Sequence, residues 1–598
     1  MKASDCIVKL FESLNIDYVF GYQGGMITHL VDSLSKSTKT KYIQCYHEQS
    51  AAIAAEGYAL ESGNIGVAIS TSGPGATNML TGIADAYFGS IPVLYITGQV
   101  NTYEYKYDKK IRQLGFQETD IVSIVKPITK YAAMVNKVED LESELKKAIK
   151  IAMSGRKGPV LLDLPMNIQH SDIEFTDYNL SYEKDYPGLD MTSCSRAFNL
   201  LKNAERPLVI CGNGIMQSDC KDLVQEFLDK NDFPYVVSML GKSCVNEDSD
   251  NFHGVIGSYG NRGANIILSK ADVVLALGSR LDLRQTGNVN SESLKKIQFI
   301  HVDIDNNELT DSKITNKLNV LGSIQDFIKN AKDIKFVAKD DWLEYCKDIS
   351  NKYSQKVDVE RFEKTPQPYD AIKSIRSIVK EEAVFIADIG QNQVWTSQML
   401  SMKENDRFYT SGGLAPMGFA IPCAVGAAFA NPKKKVVCIT GDGGFHFALQ
   451  SLMLIRQYNL NVVIYVLNNS SLGMITQFQT LYFDSNMAGT TADGGYLVPQ
   501  IDKIALAYGM NYKLVDDVQN LNEYTTDRNT ICEVKLPNIT TVVPKLEFNK
   551  EPYDMIPYLS PDELREIGGG GGYNCRVVYN DTYIFNKTLC SSSFVEAA

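Results

Sequence analysis

Two strand ends in the C-terminal third of the chain carry residue types that could bind an anion and a metal ion. Residues 436–441 read as a buried strand that runs into Asp442-Gly443-Gly444, and a second strand ends at Asn468-Asn469. A glycine-rich turn between a strand and a helix presents free backbone N–H groups and the positive end of the helix dipole. Asp442 and Asn469 can lie side by side at the carboxyl edge of a parallel sheet. The pattern predicts an anion site with oxygen ligands that suit Mg²⁺.

The order and spacing of the two pieces identify the ligand better than either piece alone. Alone, Gly-Asp-Gly is more often a tight turn, and Asn-Asn is more often a helix cap. Together, Gly-Asp-Gly followed one helix and one strand later by Asn-Asn resembles the thiamine-diphosphate motif. Gly241-Lys242-Ser243 lacks the upstream glycine of a P-loop, and no complete G-x-G-x-x-G follows a strand. We therefore expect thiamine diphosphate and Mg²⁺ as cofactors.

Such a cofactor also needs a carboxylate that hydrogen-bonds its aminopyrimidine ring and favours the reactive imino tautomer. Glu48 lies in the N-terminal part of the chain where a strand end passes into a helix rich in small residues. Alone, Glu48 reads as a first-turn acid stabilised by the helix dipole. Residues 71–78 and Gly98-Gln99-Val100 follow at the ends of the next strands, and this context favours a catalytic role.

Taken together, these segments resemble the acetolactate synthase (acetohydroxyacid synthase) catalytic subunit family. The motifs are Val19-Phe20-Gly21-Tyr22, His47-Glu48-Gln49, Ser72–Asn78 and Phe116–Asp120, and the similarity runs with gaps from about residue 3 to about 565. The resemblance implies a carboligase that decarboxylates a 2-oxoacid such as pyruvate and transfers the acyl unit to a second carbonyl compound. It also implies a homodimer or homotetramer whose active site lies between subunits, with Glu48 from one chain and Asp442 from the other.

The same resemblance implies roles for individual residues. Met417 matches the bulky residue that bends the cofactor, and Gln117 and Lys130 are expected on the substrate side. Asn392 and Phe478 depart from the family, which usually carries histidine and commonly tryptophan there. The expected catalytic residues are Glu48, Gln117, Lys130 and Met417; the expected cofactor contacts are Pro74, Asn78, Gly390, Gln391, Asn392, Met417, Gly441, Asp442, Gly443, Gly444, Asn469 and Met474; and the expected Mg²⁺ ligands are Asp442, Asn469 and the carbonyl of Ser471.

The middle third of the chain has glycines and polar residues just beyond several apolar strands, a pattern that would line a dinucleotide crevice. In the acetolactate synthase-like branch this domain binds FAD, so the resemblance implies a structural flavin; the alternative is a vestigial, empty crevice. Ser323 departs from a common family aspartate. The expected FAD contacts are Gly212, Asn213, Met239, Leu240, Gly257, Gly278, Arg280, Asp282, Arg284, Asp303 and Ile304.

One segment, Asn101–Lys110, is rich in tyrosine and lysine and is longer than in typical acetolactate synthases. It is either a solvated surface excursion or a changed acceptor entrance whose cations suit a phosphate or a sugar nucleotide. The alternatives that stay open are a ligase acting on a keto-sugar nucleotide and a simple 2-oxoacid decarboxylase. In other classes, they are a flavin or nicotinamide oxidoreductase and a non-catalytic binding protein.

The elements that must position these residues follow from hydrophobic patterning. Short apolar runs alternate with helical patterns almost throughout, which is typical of parallel α/β layers covered on both faces. Polar stretches near 168–192 and 330–365 read as linkers. We therefore predict an α/β fold with three doubly wound parallel-sheet domains: a pyrimidine-binding domain over 1–170, a central domain over 190–335 and a diphosphate-binding domain over 365–550, followed by a tail over 551–598. The glycine run 568–572 in this tail is a flexible linker, and we expect residues 568–598 to be dispensable for catalysis.

Composition excludes several other classes. The 598 residues carry a net charge of -12, which lacks the basic excess that nucleic-acid binding requires. The twelve cysteines form no C-x-x-C pair and no cluster with the six histidines, a pattern typical of a reducing, cytoplasmic protein. The sequence shows neither a signal peptide nor a run approaching the roughly twenty apolar residues of a spanning helix, so we expect no membrane partner.

Overall fold

The computed structural model describes residues 1–180, 185–287, 291–336, 338–365, 367–523, 527–547 and 550–568. Within these ranges the chain forms three six-stranded parallel sheets, each in its own domain, and a short antiparallel pair. The predicted α/β fold with three parallel-sheet domains is confirmed. No helix among these residues is both long enough and apolar enough to cross a membrane. The ten cysteines that these ranges contain are buried free thiols.

The first domain has the strand order β2-β1-β3-β4-β6-β5, and its central strands are buried along their whole length. Their near-continuous apolar sequences are those of strands covered on both faces. The strands are β1 (Tyr18–Tyr22), β2 (Lys41–Gln44), β3 (Gly66–Ser70), β4 (Val93–Gln99), β5 (Tyr131–Met134) and β6 (Val160–Pro165). The helices are α1 (Ala3–Ser13), α2 (Thr28–Lys36), α3 (Glu48–Ser62), α4 (Pro74–Asn78), α5 (Leu80–Gly89), α6 (Ile121–Val125), α7 (Leu141–Met153) and α8 (Met166–His170).

The central domain has the order β12-β11-β10-β7-β8-β9, so the chain reverses direction across the sheet between β7 and β10. This is the strand order of dinucleotide-binding folds, in which ligands bind at the reversal. The strands are β7 (Pro207–Cys211), β8 (Tyr235–Val237), β9 (Phe252–Val255), β10 (Val273–Leu277), β11 (Gln298–Asp303) and β12 (Lys317–Leu321). The helices are α9 (Met191–Asn203), α10 (Gly214–Gln217), α11 (Lys221–Lys230), α12 (Arg262–Lys270), α13 (Leu283–Thr286), α14 (Glu292–Lys296), α15 (Asn306–Asp311), α16 (Ile324–Ala331), α17 (Asp340–Lys352) and α18 (Gln355–Phe362).

The third domain has the order β14-β13-β15-β16-β18-β17, which is the order of the first domain when each is counted from its own first strand. The strands are β13 (Ala383–Ala387), β14 (Arg407–Tyr409), β15 (Lys435–Gly441), β16 (Val462–Asn468), β17 (Asn511–Val515) and β18 (Thr530–Lys535). The helices are α19 (Gln367–Ile378), α20 (Gln391–Met399), α21 (Ala420–Ala430), α22 (Asp442–Phe447), α23 (Leu452–Gln457), α24 (Gly473–Tyr482) and α25 (Ile501–Tyr508). The chain then forms β19 (Lys545–Leu546), β20 (Met555–Ile556) and α26 (Pro561–Gly568).

Helices α3 and α21 join the first and third domains through direct backbone contact. A Cβ atom on Gly426 would overlap the carbonyl oxygen of Ala54, and a Cβ on Gly57 would overlap the carbonyl oxygen of Cys423. Only glycine permits so close an approach of two backbones. One hydrophobic core continues across this contact and contains side chains of both domains. The position of α3, which begins at Glu48, is therefore tied to the third domain.

The predicted linker over 330–365 is wrong, because most of this stretch is helical. Helix α17 lies within it and buries Trp342, Cys346 and Ile349 in a core shared with the central domain. These apolar residues recur at the spacing of one helix face, and the intervening lysine and aspartate residues cover the opposite face. The polar composition of this segment suggested a linker, whereas the helical spacing of its apolar residues indicated a packed helix.

The predicted start of the tail at residue 551 is also wrong. Arg262, which is fully buried, donates to the carbonyl oxygens of Met555 at 3.1 Å and Pro557 at 2.8 Å. Helix α26 then buries Ile567 against the central domain. The chain therefore returns from the third domain to the central one before Gly568. The rest of the predicted glycine linker and the segment to residue 598 lie outside the described residues.

Candidate active site

Asp442 lies at the carboxyl end of β15, beside the strand reversal of the third sheet, and is almost completely buried. Its Oδ1 accepts a hydrogen bond from the Tyr496 hydroxyl at 2.5 Å, and its Oδ2 accepts one from Ser470 N at 2.9 Å. Burial raises the pKa of Asp442, and these hydrogen bonds act in the opposite direction. The carboxylate is thus held in one orientation at the edge where parallel sheets bind ligands.

Asn469 follows β16 and shares a buried amide network with Gln391. Thr540 connects the two: its Oγ1 accepts from Asn469 Nδ2 at 2.9 Å and donates to Gln391 Oε1 at 2.7 Å. A Cβ on Gly473 would overlap Gln391 Oε1 and lie 2.7 Å from Asn469 Nδ2, so the start of α24 requires glycine. The structure brings Asp442, Asn469 and Gln391 to one edge, as the sequence predicts, and adds Thr540 and Tyr496, which no motif indicated.

Met417 and Asn392 reach the same glycine turn. The Met417 methyl group lies 2.8 Å from the position that a Cβ on Gly443 would take. Asn392 Nδ2 donates to Ile389 O at 3.0 Å, and its Oδ1 is buried without a partner. A buried polar atom without a partner needs an explanation, and a ligand contact is a common one. The glycine turn therefore has a thioether on one side and an unsatisfied amide on the other.

These oxygen donors suit a hard cation that shares its coordination shell with a ligand. Asp442 and Asn469 supply one carboxylate and one amide, and Ser471, whose carbonyl was predicted as the third ligand, is buried two residues after Asn469. In the described part of the chain, no group of three or more His, Cys, Asp or Glu side chains could hold a metal ion. A cation at this edge would take its remaining ligands from phosphate oxygens or water, as Mg²⁺ commonly does.

Glu48 lies at the corresponding edge of the first sheet, as the first residue of α3, and is 7% exposed. Asn78 Nδ2 donates to Glu48 Oε2 at 2.9 Å. Glu48 Oε1 faces Gly75, on which a Cβ would lie 3.3 Å from that oxygen. The ring of His47 caps the helix by accepting a hydrogen bond from Gln49 N at 3.1 Å. One carboxylate oxygen is therefore fixed by an amide, while the other makes no hydrogen bond among the described residues.

Gln117 contacts the turn that precedes α4 and has left-handed backbone geometry, with φ of +63°. A Cβ on Gly73 would lie 3.0 Å from Gln117 Cβ. Glu118, which the sequence analysis quoted but did not assign, fixes this geometry because its carboxylate accepts from the backbone N–H groups of Lys106, Leu114 and Gly115 at 3.0, 2.7 and 3.1 Å. The chain from Lys106 to Gly115, which includes part of the long segment rich in tyrosine and lysine, is thus folded around the buried Glu118 carboxylate.

Lys130, which was predicted on the substrate side, does not lie at this edge of its own chain. It precedes β5 and so lies at the amino ends of the strands, whereas Glu48 follows β2 at their carboxyl ends. Its Nζ donates to the carbonyl oxygens of Ile151 and Ser154 at the C-terminal end of α7. Burial lowers the pKa of Lys130 to about 8. Because helix C-termini attract cations, Lys130 is bound as a helix-terminal cation.

Phe478 lies on α24 with its ring against Tyr482 and Phe483 at centroid distances of 4.7 and 5.7 Å, and it is 38% exposed. Met474 lies one turn earlier on the same helix, against the core of the third domain. Among the described residues no hydrogen bond or ion pair of Glu48 reaches Asp442, Asn469 or Met417.

Two adjoining cavities lie at the strand reversal of the central sheet. Asn213, Leu240, Gly278 and Arg280 line both, and Gly412 of the third domain lines one of them. Most of the predicted FAD contacts surround these cavities: Asn213, Met239, Leu240, Gly278, Arg280, Asp282 and Arg284 around the first, and Asp303 and Ile304 around the second. Gly212 and Gly257 pack behind them, where a Cβ would overlap the carbonyl oxygens of Gly278 and Arg284.

Electrostatic contacts connect this crevice with its neighbours. Arg284 Nη2 donates to Gln393 Oε1 of the third domain at 3.1 Å, while Arg284 Nε is buried without a partner. Arg156, from the first domain, binds Asp305 at 3.0 Å and Glu308 at 2.5 Å and also lines the second cavity. The sequence analysis missed Arg156 because it lies outside the central domain. The crevice is therefore closed by side chains of all three domains.

Comparison with protein families gives three matches that together cover most of the chain. Residues 1–124 match the N-terminal TPP binding domain of thiamine pyrophosphate enzymes, residues 194–331 match their central domain, and residues 388–527 match their C-terminal TPP binding domain. The three matches fall in the three sheets described above, in the same order.

Similar proteins also cover nearly the whole chain. The acetolactate synthase large subunit of Lactococcus lactis is 32% identical over 574 residues, which is 94% of this chain and 97% of that protein. The acetolactate synthase isozyme 2 large subunit of Escherichia coli is 33% identical over 525 residues, covering 86% and 90%. A probable acetolactate synthase large subunit of Methanocaldococcus jannaschii is 33% identical over 528 residues, covering 85% and 87%.

Proposed function

This chain belongs to the acetolactate synthase large-subunit family of thiamine pyrophosphate enzymes, and from that premise we propose which of its residues perform the reaction. The chain is a thiamine-diphosphate-dependent 2-oxoacid carboligase of the acetolactate synthase type. The bond between the carboxylate and the carbonyl carbon of a 2-oxoacid breaks and CO₂ leaves. The acyl unit forms a carbon–carbon bond with the carbonyl of a second substrate, whose oxygen takes a proton.

Glu48 is the proposed proton-transfer residue. Thiamine diphosphate, when bound, supplies a carbon nucleophile and an electron sink. The observation that carries the assignment is that Asn78 holds Glu48 Oε2 while Oε1 has no hydrogen bond within the described chain. Oε1 can therefore give or take a proton at the aminopyrimidine ring, as a general acid–base residue must. Pro74 and Asn78, at the two ends of α4, are the proposed cofactor contacts at this edge.

The third domain is proposed to hold the diphosphate and Mg²⁺. Asp442, Asn469 and the carbonyl of Ser471 would hold the metal, and Met417 would support the bent form of the cofactor beside the glycine turn. Two observations support this proposal: Asn392 Oδ1 is buried without a hydrogen-bond partner, and a Cβ atom on the glycines of the turn would meet neighbouring side chains. The remaining proposed contacts lie at three strand ends and the helix starts that follow them at this edge: Gly390, Gln391, Gly441, Gly443, Gly444 and Met474.

We propose that two copies of the chain form each active site, in a homodimer or homotetramer. Glu48 and Asp442 lie at the carboxyl edges of different sheets, and no hydrogen bond of the described residues joins these edges within one chain. A single cofactor would have to contact both edges, because its pyrimidine ring would bind the Glu48 carboxylate and its diphosphate would bind the metal held by Asp442. A symmetric pair of subunits satisfies both contacts twice.

We further propose that the central crevice binds FAD as a structural group, through the residues that line its two cavities. In support, Arg284 Nε is buried without a partner at the strand reversal where dinucleotides bind. The carboligation needs no net electron transfer, so the flavin would stabilise the fold around it.

Replacing Arg280 with alanine tests the flavin proposal, because Arg280 lines both cavities and its ion pair within the described ranges is with the partly exposed Asp282. Loss of one charged hydrogen bond to a ligand should weaken FAD binding about tenfold or more. Flavin absorbance after denaturation measures the bound fraction. Arg196→Ala, on α9 of the same domain, should retain the wild-type content. A wild-type protein that binds no flavin when saturated with FAD would contradict the proposal.

Product analysis tests the function as a whole. The protein with thiamine diphosphate, Mg²⁺ and FAD is incubated with pyruvate alone, with a second 2-oxoacid, or with a keto-sugar nucleotide, and products are identified by mass spectrometry. Acetolactate or its homologue is the expected product, with stoichiometric CO₂. Acetaldehyde as the sole product would identify a decarboxylase, and an acylated sugar would identify the long loop as the acceptor entrance.

A further inference from the structure

We propose that Asp388 and Asp85 are positioning residues that clamp the loop carrying Met417 from two sides. This loop, residues 410–419, connects β14 to α21. Asp388 belongs to the third domain and Asp85 to the first. The inference rests on the proposed function, because the clamp matters for catalysis only if Met417 bends a bound cofactor.

Asp388 follows β13 and holds the C-terminal half of the loop entirely through backbone N–H groups. Its Oδ1 accepts from Ile389 N at 2.8 Å and from Gly418 N at 3.0 Å, and its Oδ2 accepts from Ala420 N at 2.9 Å. The side chain is completely buried. Two of its three donors follow Met417 by one and three residues, so the carboxylate fixes the backbone immediately after Met417.

The same carboxylate connects the loop with the glycine turn. A Cβ on Gly444 would lie 2.5 Å from Asp388 Oδ1, so the turn packs directly against this oxygen. Met417 in turn reaches Gly443, the preceding residue of the turn. Asp388 therefore sets the spacing between the thioether that would bend the cofactor and the backbone that would bind its diphosphate.

Asp85 holds the other end of the loop through Ser411. The Ser411 hydroxyl donates to Asp85 Oδ1 and accepts from Ala415 N at 2.9 Å, which closes the first half of the loop. Asp85 is carried by α5 of the first domain, and a Cβ on Gly413 would lie 2.6 Å from the Phe88 side chain of the same helix. The loop is thus wedged between two domains.

Burial raises the pKa of Asp85 only to about 6, so Asp85 is ionised at neutral pH, and the neighbouring Glu56 is the group that stays protonated. Its side chain is fully buried beside Asp85, and burial together with the charge of Asp85 raises its pKa well above the usual range. A neutral Glu56 next to an ionised Asp85 leaves Asp85 as the acceptor for Ser411. The hydroxyl is therefore oriented by a charged acceptor, which gives a stronger hydrogen bond than a neutral one.

Amide hydrogen exchange of the cofactor-free protein tests the clamp directly. In Asp388→Asn one acceptor oxygen becomes an N–H donor, so at least one loop N–H group loses its partner. We expect peptides that cover residues 410–421 to exchange about tenfold faster or more, because hydrogen bonds to charged groups are worth that factor. Asp406→Asn is the control: Asp406 is as buried and accepts from Ala383 N and Lys403 N at 2.8 Å, at the amino end of β14. It also pairs with Arg376 at 3.3 Å, so this variant loses at least as much charge pairing as Asp388→Asn. Asp406→Asn should leave these peptides unchanged.

Proton exchange at the thiazolium carbon of bound thiamine diphosphate tests the consequence. We expect Asp388→Asn to slow this exchange about 10²-fold, because small misplacements of reacting groups cost that much. The cofactor dissociation constant should change only a few-fold. The double variant with Met417→Ala should be no slower than the slower single variant, since both act through one contact. Independent, multiplying effects of the two substitutions would overturn the proposal.

Ser411→Ala gives a second test at the other end of the loop and serves if Asp388→Asn does not fold. It should raise exchange in the same peptides and slow the thiazolium exchange in the same direction. Wild-type peptide exchange in Ser411→Ala and in every folded Asp388→Asn sample would refute the clamp. If instead the wild-type protein binds no thiamine diphosphate in the presence of Mg²⁺, the proposed function fails.

Discussion

Replacing Glu48 with glutamine is expected to lower kcat about 10³-fold while leaving thiamine diphosphate and Mg²⁺ binding nearly unchanged. Glutamine preserves the length and the acceptor oxygen that Asn78 Nδ2 uses at 2.9 Å. It removes the one property that the reaction needs, a side chain that gains and loses a proton at Oε1. Removal of a general acid–base residue commonly costs between 10² and 10⁴ in rate.

Steady-state rates at saturating cofactor, with calorimetric cofactor titration, separate loss of chemistry from loss of binding. Lys130→Gln is the matched control, because Lys130 was also predicted as catalytic but lies at the opposite ends of the strands. It should keep activity within a few-fold. A Glu48→Gln enzyme with wild-type kcat would remove Glu48 from the mechanism.

Mixing Glu48→Gln with Asp442→Ala subunits extends the same prediction to the subunit arrangement. If each site takes Glu48 from one chain and Asp442 from the other, a mixed dimer contains one intact site and one doubly damaged site. Random reassortment should then restore about one quarter of the wild-type activity. Recovery is measured after unfolding and joint refolding, and no recovery in correctly mixed dimers would place both residues in one chain's site.

The sequence predicted the third-domain edge well because its residues are close along the chain and follow strands directly. Asp442 and Asn469 follow adjacent parallel strands, and the carboxyl ends of such strands meet at one edge whatever the rest of the fold does. Glu48 could be found for a similar reason, since a helix that follows a parallel strand begins at the carboxyl edge of the sheet. The local sequence pattern was sufficient to find those residues of the site that directly follow a strand.

The residues that fix this site could not be predicted in the same way. Thr540 connects Asn469 and Gln391 from 71 and 149 positions away, and Arg156 reaches Asp305 from another domain. Such contacts depend on how the sheets pack, which no periodicity encodes. A motif also does not show where a side chain binds: the carbonyl oxygens at the end of α7 determine the position of the Lys130 ammonium group within its chain.

The first and third domains share one strand order, and α3 and α21 meet where their two backbones touch. Glu48 begins α3, and α21 follows the Met417 loop. A change in the separation of the two helices would therefore move the Glu48 carboxylate relative to the Met417 loop; in the proposed subunit arrangement these two groups serve different active sites. A single glycine at the crossing should control both stability and activity.

Replacing Gly426 with alanine is expected to destabilise the protein by about 1–3 kcal/mol and to lower the unfolding temperature by several degrees. Alanine favours a helix over glycine by about 1 kcal/mol, which opposes the loss. The steric overlap outweighs this gain and lowers the free energy of unfolding, because the new methyl group would meet the carbonyl oxygen of Ala54 and lie 2.7 Å from Tyr58 N. Both are main-chain atoms of α3 and cannot rotate away, so the helices must separate.

Thermal unfolding and steady-state rates of the same samples check this prediction. Gly57→Ala, on the facing helix, should act in the same direction because its Cβ would overlap Cys423 O. Gly188→Ala is the control, since a Cβ there would meet nothing within 4 Å. Activity should fall further than stability alone explains when it is measured well below the unfolding temperature, because α3 carries Glu48 at its first residue. A Gly426→Ala protein with wild-type unfolding temperature and rate would show that the crossing tolerates separation, and Glu48 would then be positioned by β2 and Asn78 alone.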